Sequence, residues 1–321
     1  MSLAFMIQEE PLKRVFIIIP VFNRRAVTLN CLDKLQTIDT KGTSIEIVVI
    51  DDGSTDGTSD AVMVRYPNVH LLRGDGNLWW TGCINMGIRF AMNTNCDYIL
   101  TLNDDTEYET DFLAVLLQEA LKHPDAVIGS LMVYKSEIST FYIAGAVRKG
   151  FRKTVHPNYL DAGNFTSSEC VEADCLPGRS MLIPESILRR AGLFDERRFP
   201  HGNADHEFTL RCHLHFNIPI LVAVKSLVYT ELNARVINVY AVHSGKIAFL
   251  RSFFDRKYGH NIKNVFHTAF MHKHVLAGLY DCIQTYAGLI KLVFVKLIMP
   301  ANQIALIFNN QNRNSVFSQK M

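Results

Sequence analysis

Acidic and amide side chains follow two hydrophobic stretches that are typical of buried β-strands. Residues 45–50 lead into the turn Asp51-Asp52-Gly53-Ser54, and residues 97–102 lead into Asn103-Asp104-Asp105. Because ligands of an open α/β sheet bind beyond the carboxyl ends of its strands, we expect both turns to face one ligand. Carboxylate oxygens suit sugar hydroxyls and hard cations. The two turns therefore predict a nucleotide–metal site, and an enzyme.

The elements that must position these turns alternate between strand-like and helix-like patterns. Strands are predicted at 15–19, 45–50, 69–72, 97–102 and 126–134, and helices at 24–36, 55–65, 82–93 and 111–122. This alternation predicts an α/β fold with a mainly parallel sheet and right-handed crossovers. Later residues are less regular: we expect a hairpin near 141–152, strands at 171–176 and 181–183, and a helix at 205–216.

Cysteine usage and the first residues bear on cellular location. The chain has 7 cysteines and no Cys-x-x-Cys pair, which indicates reduced thiols. Residues 1–11 include Glu9 and Glu10 and no long apolar core, unlike a signal peptide. We expect a cytoplasmic protein.

Charge divides the chain into an acidic catalytic part and a basic tail. From Lys225 onward there are 12 Lys and Arg against 3 Asp and Glu, whereas the preceding residues have a net charge of −7. This asymmetry predicts an anionic partner for the tail.

The tail also carries an apolar stripe at helical spacing. Its members are Leu276, Leu279, Ile283, Tyr286, Ile290, Val293 and Leu297. Charged residues interrupt the segment before an uncharged run reaches the ~18 residues of a membrane span. The stripe favours an anionic membrane over nucleic acid as the partner of the tail. The expected surface is the inner face of the cytoplasmic membrane. Packing on the catalytic domain and homodimerisation are the alternatives.

Several segments together resemble family 2 glycosyltransferases with the GT-A fold, in particular bacterial enzymes that add rhamnose or a related sugar to surface polysaccharides. They are Pro20-Val21-Phe22-Asn23, the two aspartate turns, and residues 76–87, 177–184, 192–196 and 201–211. The resemblance spans roughly residues 14–225. It implies a Rossmann-like, mostly parallel mixed sheet flanked by helices. The implied domain is 1–225, with a nucleotide-sugar half at 14–135 and an acceptor half at 136–225, followed by a helical extension at 226–321.

The family's activity implies roles for individual residues. The enzyme would move a sugar, with inversion, from a UDP- or dTDP-sugar such as dTDP-rhamnose to a hydroxyl of a glycan or lipid-linked glycan. Mg²⁺ or Mn²⁺ would assist, with Asp105 as ligand and His243 as a weaker candidate. The residues expected at the nucleotide are Pro20, Asn23, Asp51, Asp52, Asn77, Asn85, Asn103 and Asp104.

Some of these assignments have structural alternatives. Asp52 is expected to accept a hydrogen bond from the nucleobase, and Asp51 is the alternative residue for this contact. Both side chains could instead stabilise their own turn. Asn85 fits a structural role almost as well as a diphosphate contact. Asn103 stands where the family often has an aspartate, which predicts modest metal affinity.

The acceptor half supplies the candidate base. Asp205 matches the position at which the family deprotonates the acceptor hydroxyl, although Ala204 replaces the usual neighbouring acid. Arg179 is a candidate contact to phosphate or acceptor. Glu207 and Arg211 are expected to form a structural i, i+4 pair, with Glu207 as the next candidate base. A non-catalytic sugar-nucleotide-binding protein of the same fold is the alternative function.

Overall fold

One mixed sheet contains all the described strands. The computed structural model describes residues 12–40, 42–135, 140–150, 154–160, 170–230, 244–256, 258 and 260–299. The described strands are β1 (Lys13–Val21), β2 (Thr43–Asp51), β3 (His70–Arg73), β4 (Tyr98–Leu102), β5 (Glu107–Tyr108), β6 (Val127–Lys135), β7 (Thr140–Lys149), β8 (Thr154–Leu160), β9 (Cys170–Glu172), β10 (Ser180–Pro184) and β11 (Ile220–Thr230). The described helices are α1 (Arg25–Leu35), α2 (Thr58–Arg65), α3 (Trp79–Asn93), α4 (Phe112–Lys122), α5 (Glu185–Ala191), α6 (Ala204–Phe216), α7 (Lys246–Ser252), α8 (Ile262–Phe270) and α9 (Val275–Ile298).

The strand order is β3-β2-β1-β4-β10-β6-β11-β5. Neighbouring strands are parallel from β3 to β4, and β6 pairs in parallel with β11. Strands β5, β7, β8, β9 and β10 pair antiparallel with their neighbours. The predicted mixed α/β sheet flanked by helices is confirmed, but parallel pairing dominates only in the nucleotide half.

Strand β1 lies in the centre of the core, as its continuous apolar run predicts. Its residues from Val15 to Ile19 are at most 1% exposed. Phe16 and Ile18 pack on the α3 side, while Ile17 and its alternate neighbours pack with α1 and α4 on the other side. Burial on both faces explains why the run does not alternate with polar residues.

Strand β11 was not predicted, and it crosses the expected domain boundary at 225/226. It pairs with β6 on both sides of a register shift between Ala223 and Leu227. Ser226 is buried and donates to the carbonyl of Phe112 at 2.8 Å. The sheet therefore continues to Thr230.

The predicted helical extension is present in the described part of the tail as α7, α8 and α9. Phe249 of α7 and Phe253, which directly follows that helix, pack with Leu289 and Leu292 of α9. In the described part of the chain, no helix combines the length and the apolar character that spanning a bilayer requires.

The opposite side of α9 presents apolar side chains outward. The large apolar residues of α9 that are at least 40% exposed are Val275, Leu276, Leu279, Tyr280, Ile283, Ile290, Phe294, Leu297 and Ile298; we call these the exposed apolar face. Two members of the predicted stripe lie elsewhere: Tyr286 donates to the carbonyl of Ile262 at 2.8 Å, and Val293 packs on α7. Packing on the rest of the chain therefore covers one side of α9.

A buried carboxylate joins α6 to the extension. Glu207 is 1% exposed and lies 3.1 Å from Arg211 and 3.3 Å from the Nε2 of His272. Burial alone would raise the pKa of Glu207, but the adjacent His272 and Arg211 hold the pKa below its usual value. The expected pair with Arg211 is present, and these contacts make Glu207 unsuited to act as a catalytic base.

Replacing Glu207 with Gln should lower the free energy of unfolding by about 3–5 kcal/mol, because the guanidinium groups of Arg211 and Arg198, 3.1 and 3.5 Å away, lose a buried partner. Chemical denaturation measures this difference. Glu172→Gln, at an exposed position of β9, is the control and should change stability by no more than about 0.5 kcal/mol. Equal effects of the two variants would show that the Glu207 cluster contributes nothing to stability.

Candidate active site

The turns after β1 and β4 meet at the point where the strand order reverses. The chain adds β2 and β3 on one side of β1 and then places β4 on the other side. Such a reversal opens a crevice at the carboxyl ends of the two strands, where α/β proteins bind their ligands. At this crevice the guanidinium of Arg24 lies 3.0 Å from Asp104 and 3.2 Å from Asp105. One cation therefore bridges both carboxylates.

The two carboxylates differ in their surroundings. Asp104 is 5% exposed and also accepts from the hydroxyl of Thr28 at 3.1 Å, whereas Asp105 is exposed. Burial, opposed by the charge of Arg24, raises the pKa of Asp104 to about 6. Asp104 is thus a structural partner of α1, and Asp105 is the acid that can reach a ligand.

The position of Asp105 fits the expected cation. Mg²⁺ and Mn²⁺ are held by oxygen ligands, and Mg²⁺ commonly takes only one or two protein carboxylates besides substrate phosphates. A different group of potential ligands, Glu119, His123 and Cys170, lies at the far end of α4. There Lys122 and the thiol of Cys170 already contact the carboxylate of Glu119 at 3.0 and 3.3 Å. The Asp105 turn is therefore the better candidate for a metal.

Arg24 was missed in the sequence. It directly precedes α1, Arg25 begins the helix, and the first turn of α1 contains no acid. Positive charge is unfavourable at a helix N-terminus. This pair of arginines therefore indicated that a nearby negative charge offsets the unfavourable interaction.

The turn after β2 is organised by its own aspartates. Asp52 is 6% exposed and accepts from the backbone N–H groups of Gly76, Leu78 and Trp79 at 2.9, 3.2 and 2.9 Å. Asp51, 1% exposed, accepts from the N–H of Ser54 at 2.8 Å and from the hydroxyl of Ser59. The contact of Asp51 with Ser54 matches the structural alternative, whereas Asp52 holds the segment before α3 instead of its own turn. A contact between either acid and the base stays a prediction.

The first loop is fastened to the second. The side chain of Asn23 accepts from the N–H of Thr55 at 2.8 Å, and the N–H of Asn23 donates to Ser54 at the same distance. Pro20 lies in β1 opposite Ile50 of β2. Both predicted residues therefore shape the crevice wall next to the Asp51-Asp52 turn.

The two other asparagines of the nucleotide set lie in different surroundings. Asn77 is exposed in the loop before α3, where its N–H donates to Asp75 at 2.9 Å. Asn85 is 1% exposed, and its amide donates to the carbonyl of Phe194 at 2.9 Å and to Glu196 at 2.8 Å. Both N–H bonds of Asn85 are thus used within the core, as the structural alternative predicts, while Asn77 remains accessible to a ligand.

Trp80 joins the nucleotide turns to the candidate base. Its indole N–H donates to the side-chain oxygen of Asn103 at 2.9 Å. The six-membered part of the ring packs so closely on Gly178 that a Cβ at that position would lie 2.5 Å from two ring carbons. The N–H of Gly178 in turn donates to Asp205 at 2.8 Å. Asn103 and Asp205 are therefore connected through Trp80 and Gly178.

Asp205 lies in the first turn of α6, as predicted, and is half-buried. Its second oxygen accepts from the N–H of His206 at 2.9 Å. A carboxylate oxygen has two lone pairs, so each oxygen can still accept from a substrate hydroxyl. Arg179 follows Gly178 and is partly exposed. His243 lies outside the described residues.

Comparison with known proteins identifies the family. A model described as Glycosyl transferase family 2 matches residues 16–171. The PGL/p-HBAD biosynthesis glycosyltransferase of Mycobacterium bovis is 36% identical over 217 residues, which cover 64% of this chain and 71% of that protein. The chain therefore belongs to glycosyl transferase family 2, and the predicted enzyme class is confirmed.

Two further proteins are similar to this chain, one in sequence and one in structure. The N-acetylglucosaminyl-diphospho-decaprenol L-rhamnosyltransferase of Mycobacterium tuberculosis is 26% identical over 175 residues, or 48% of this chain and 57% of that protein. The mannosyltransferase PcManGT of Pyrobaculum calidifontis, solved with GDP-Man and Mn²⁺, superposes with a TM-score of 0.52 and 17% identity, over 94% of this chain and 81% of that one. The superposition supports the predicted GT-A fold.

Replacing Arg24 with Gln should raise the affinity of the nucleotide-free protein for Mn²⁺ by about tenfold, because the cation no longer competes with a guanidinium for Asp105. Isothermal titration calorimetry measures this. Arg25→Gln, next in the chain, is the matched control and should leave the affinity unchanged. Weaker Mn²⁺ binding by Arg24→Gln would mean that Arg24 orients Asp105 instead of competing for it.

Proposed function

We propose that this glycosyltransferase moves a sugar from a UDP- or dTDP-sugar to a hydroxyl group of a glycan or lipid-linked glycan, with inversion at the anomeric carbon. The observation that carries the proposal is the contact series from Asn103 through Trp80 and Gly178 to Asp205. This series supports the proposal because it holds the carboxylate of Asp205, the proposed base, near the strand-end turns that suit a nucleotide sugar. dTDP-rhamnose is the donor suggested by the rhamnosyltransferase relative, whose name also specifies a lipid-linked acceptor.

In the proposed reaction, the loops after β1, β2 and β4 hold the nucleotide. When bound, a divalent cation at Asp105 stabilises the charge of the departing diphosphate as a Lewis acid. Asp205 accepts the proton of the acceptor hydroxyl as the oxygen of that hydroxyl attacks the anomeric carbon. The N–H groups of Gly178 and His206 hold the Asp205 carboxylate in place. A single displacement of this kind inverts the anomeric centre, by analogy with inverting glycosidases.

Attachment to an anionic membrane would bring the enzyme to a lipid-linked acceptor. The exposed apolar face of α9 supplies the surface to insert. Exposed basic residues lie on the extension helices α7, α8 and α9 and on the segments that connect them. They are Lys246, Arg251, Arg256, Lys263 and Lys291. An apolar helix face accompanied by basic side chains binds the interface of anionic bilayers.

Replacing Asp205 with Asn should reduce transfer by roughly 10²–10⁴-fold, because the amide keeps the shape of the side chain but cannot accept the proton. Nucleotide affinity should stay unchanged, since Asp205 serves the acceptor. Steady-state assays with donor and acceptor, paired with nucleotide titrations, separate the two effects. Near-full transfer by the variant would exclude Asp205 as the base, and a product with retained configuration would exclude single displacement.

Placing Glu at both Ile283 and Ile290 should abolish binding of the full chain to liposomes that contain phosphatidylglycerol, because charge on the exposed apolar face opposes insertion. Co-sedimentation measures binding, which should also weaken with added salt. Leu121→Glu, at an exposed apolar position of α4, is the control. If the double variant sediments like the control, the membrane assignment is wrong, and a change in oligomeric state would instead favour a dimer.

A further inference from the structure

A cavity of about 650 Å³ lies between α6, the β7–β8 hairpin and the extension helices α8 and α9. Its volume falls in the range of small-molecule sites, about 300–1,000 Å³. Asn203 and His206 line it from the start of α6, while Thr268 of α8 and Gln284 of α9 line it from the extension. The cavity is thus formed jointly by the catalytic domain and the tail.

The cavity adjoins the candidate base. Asn203 lies two positions before Asp205 and His206 directly follows it, and the N–H of His206 donates to Asp205 at 2.9 Å. Asn203 also bonds the extension, since its amide donates to the hydroxyl of Thr268 at 2.8 Å. A molecule in the cavity therefore contacts the same helical turn that carries Asp205.

The lining combines polar and apolar groups. Arg148 and His206 contribute donors, and Lys273 and Asp281 form an ion pair whose side chains are only 9% and 10% exposed. Val155, Leu210 and Met271 contribute apolar surface. A lipid chain would make no hydrogen bond to His206, Gln284 or Thr285 of the lining. A sugar ring offers both hydroxyl groups and C–H faces, so a saccharide matches this lining.

We propose that the cavity binds the saccharide part of the acceptor, so that the C-terminal extension forms half of the acceptor site. This inference rests on the proposed function, in which Asp205 deprotonates the acceptor. It assigns to the extension a role in recognising the acceptor that is separate from attachment to a membrane. Thr285, at the exposed rim on α9, offers a position at which the cavity can be blocked without disturbing the core.

The test uses saturation-transfer NMR with four soluble disaccharides, maltose, cellobiose, lactose and N,N′-diacetylchitobiose, in the presence of UDP or dTDP and Mn²⁺. The wild type should bind at least one of them. Thr285→Trp should weaken that binding by tenfold or more, because the bulky side chain fills the space in which the ligand makes most of its contacts. Gln284→Ala, which removes a polar group without adding bulk, should weaken it by about 2- to 10-fold. Ala287→Trp, at an exposed position of the same helix, is the matched control and should bind like the wild type.

Nucleotide titrations on the same variants separate the two proposals. Unchanged nucleotide binding by Thr285→Trp, together with lost disaccharide binding, is the expected result. Absence of disaccharide binding by the wild type, or equal binding by Thr285→Trp and Ala287→Trp, would overturn the acceptor-site inference and leave the proposed function intact. Failure of the wild type to bind any nucleoside diphosphate would instead contradict the proposed function.

Discussion

The carboxylate of Asp52 is the constraint on which the rest of the site depends. Three backbone N–H groups of the segment that enters α3 donate to it. One of them belongs to Trp79, which is held at φ 57°, a backbone conformation that is strained for a bulky residue. Each buried donor left without an acceptor costs about 1–3 kcal/mol, so the three contacts can offset this strain. Asp52 thereby fixes where α3 begins.

The start of α3 in turn determines how the two halves of the domain meet. Trp80 follows directly and reaches both Asn103 and Gly178. The hydroxyl of Thr81, next in the chain, donates to the carbonyl of Phe199 at 2.6 Å, close to the start of α6. On its other side, α6 is held by the extension through Asn203 and His272. Asp205 is thus positioned from the nucleotide side and from the tail at once.

The sequence predicted those parts of the site that depend on local pattern. Strands buried on both faces appear as apolar runs, as in β1, and the turns after parallel strands converge whatever lies between them. It could not predict contacts that depend on strand order. Arg24 reaches Asp105 only because β4 lies next to β1. Asn85 meets Phe194, 109 residues away, and no local pattern indicates such a partner. Strand β11 was missed because Lys225 and Ser226 interrupt its apolar run, although Ser226 is buried with hydrogen-bond partners.

We infer that the turns after β2 and β4 form one metal-assisted nucleotide site. Thermal stabilisation by UDP and dTDP, measured with Mn²⁺ and with a chelator for the wild type and Asp105→Ala, distinguishes this site from a metal-independent one. One of the two nucleotides should raise the Tm of the wild type more with Mn²⁺ than with chelator, and Asp105→Ala should lose this difference. Equal stabilisation of the wild type in Mn²⁺ and in chelator would show that nucleotide binding at this site does not use a metal.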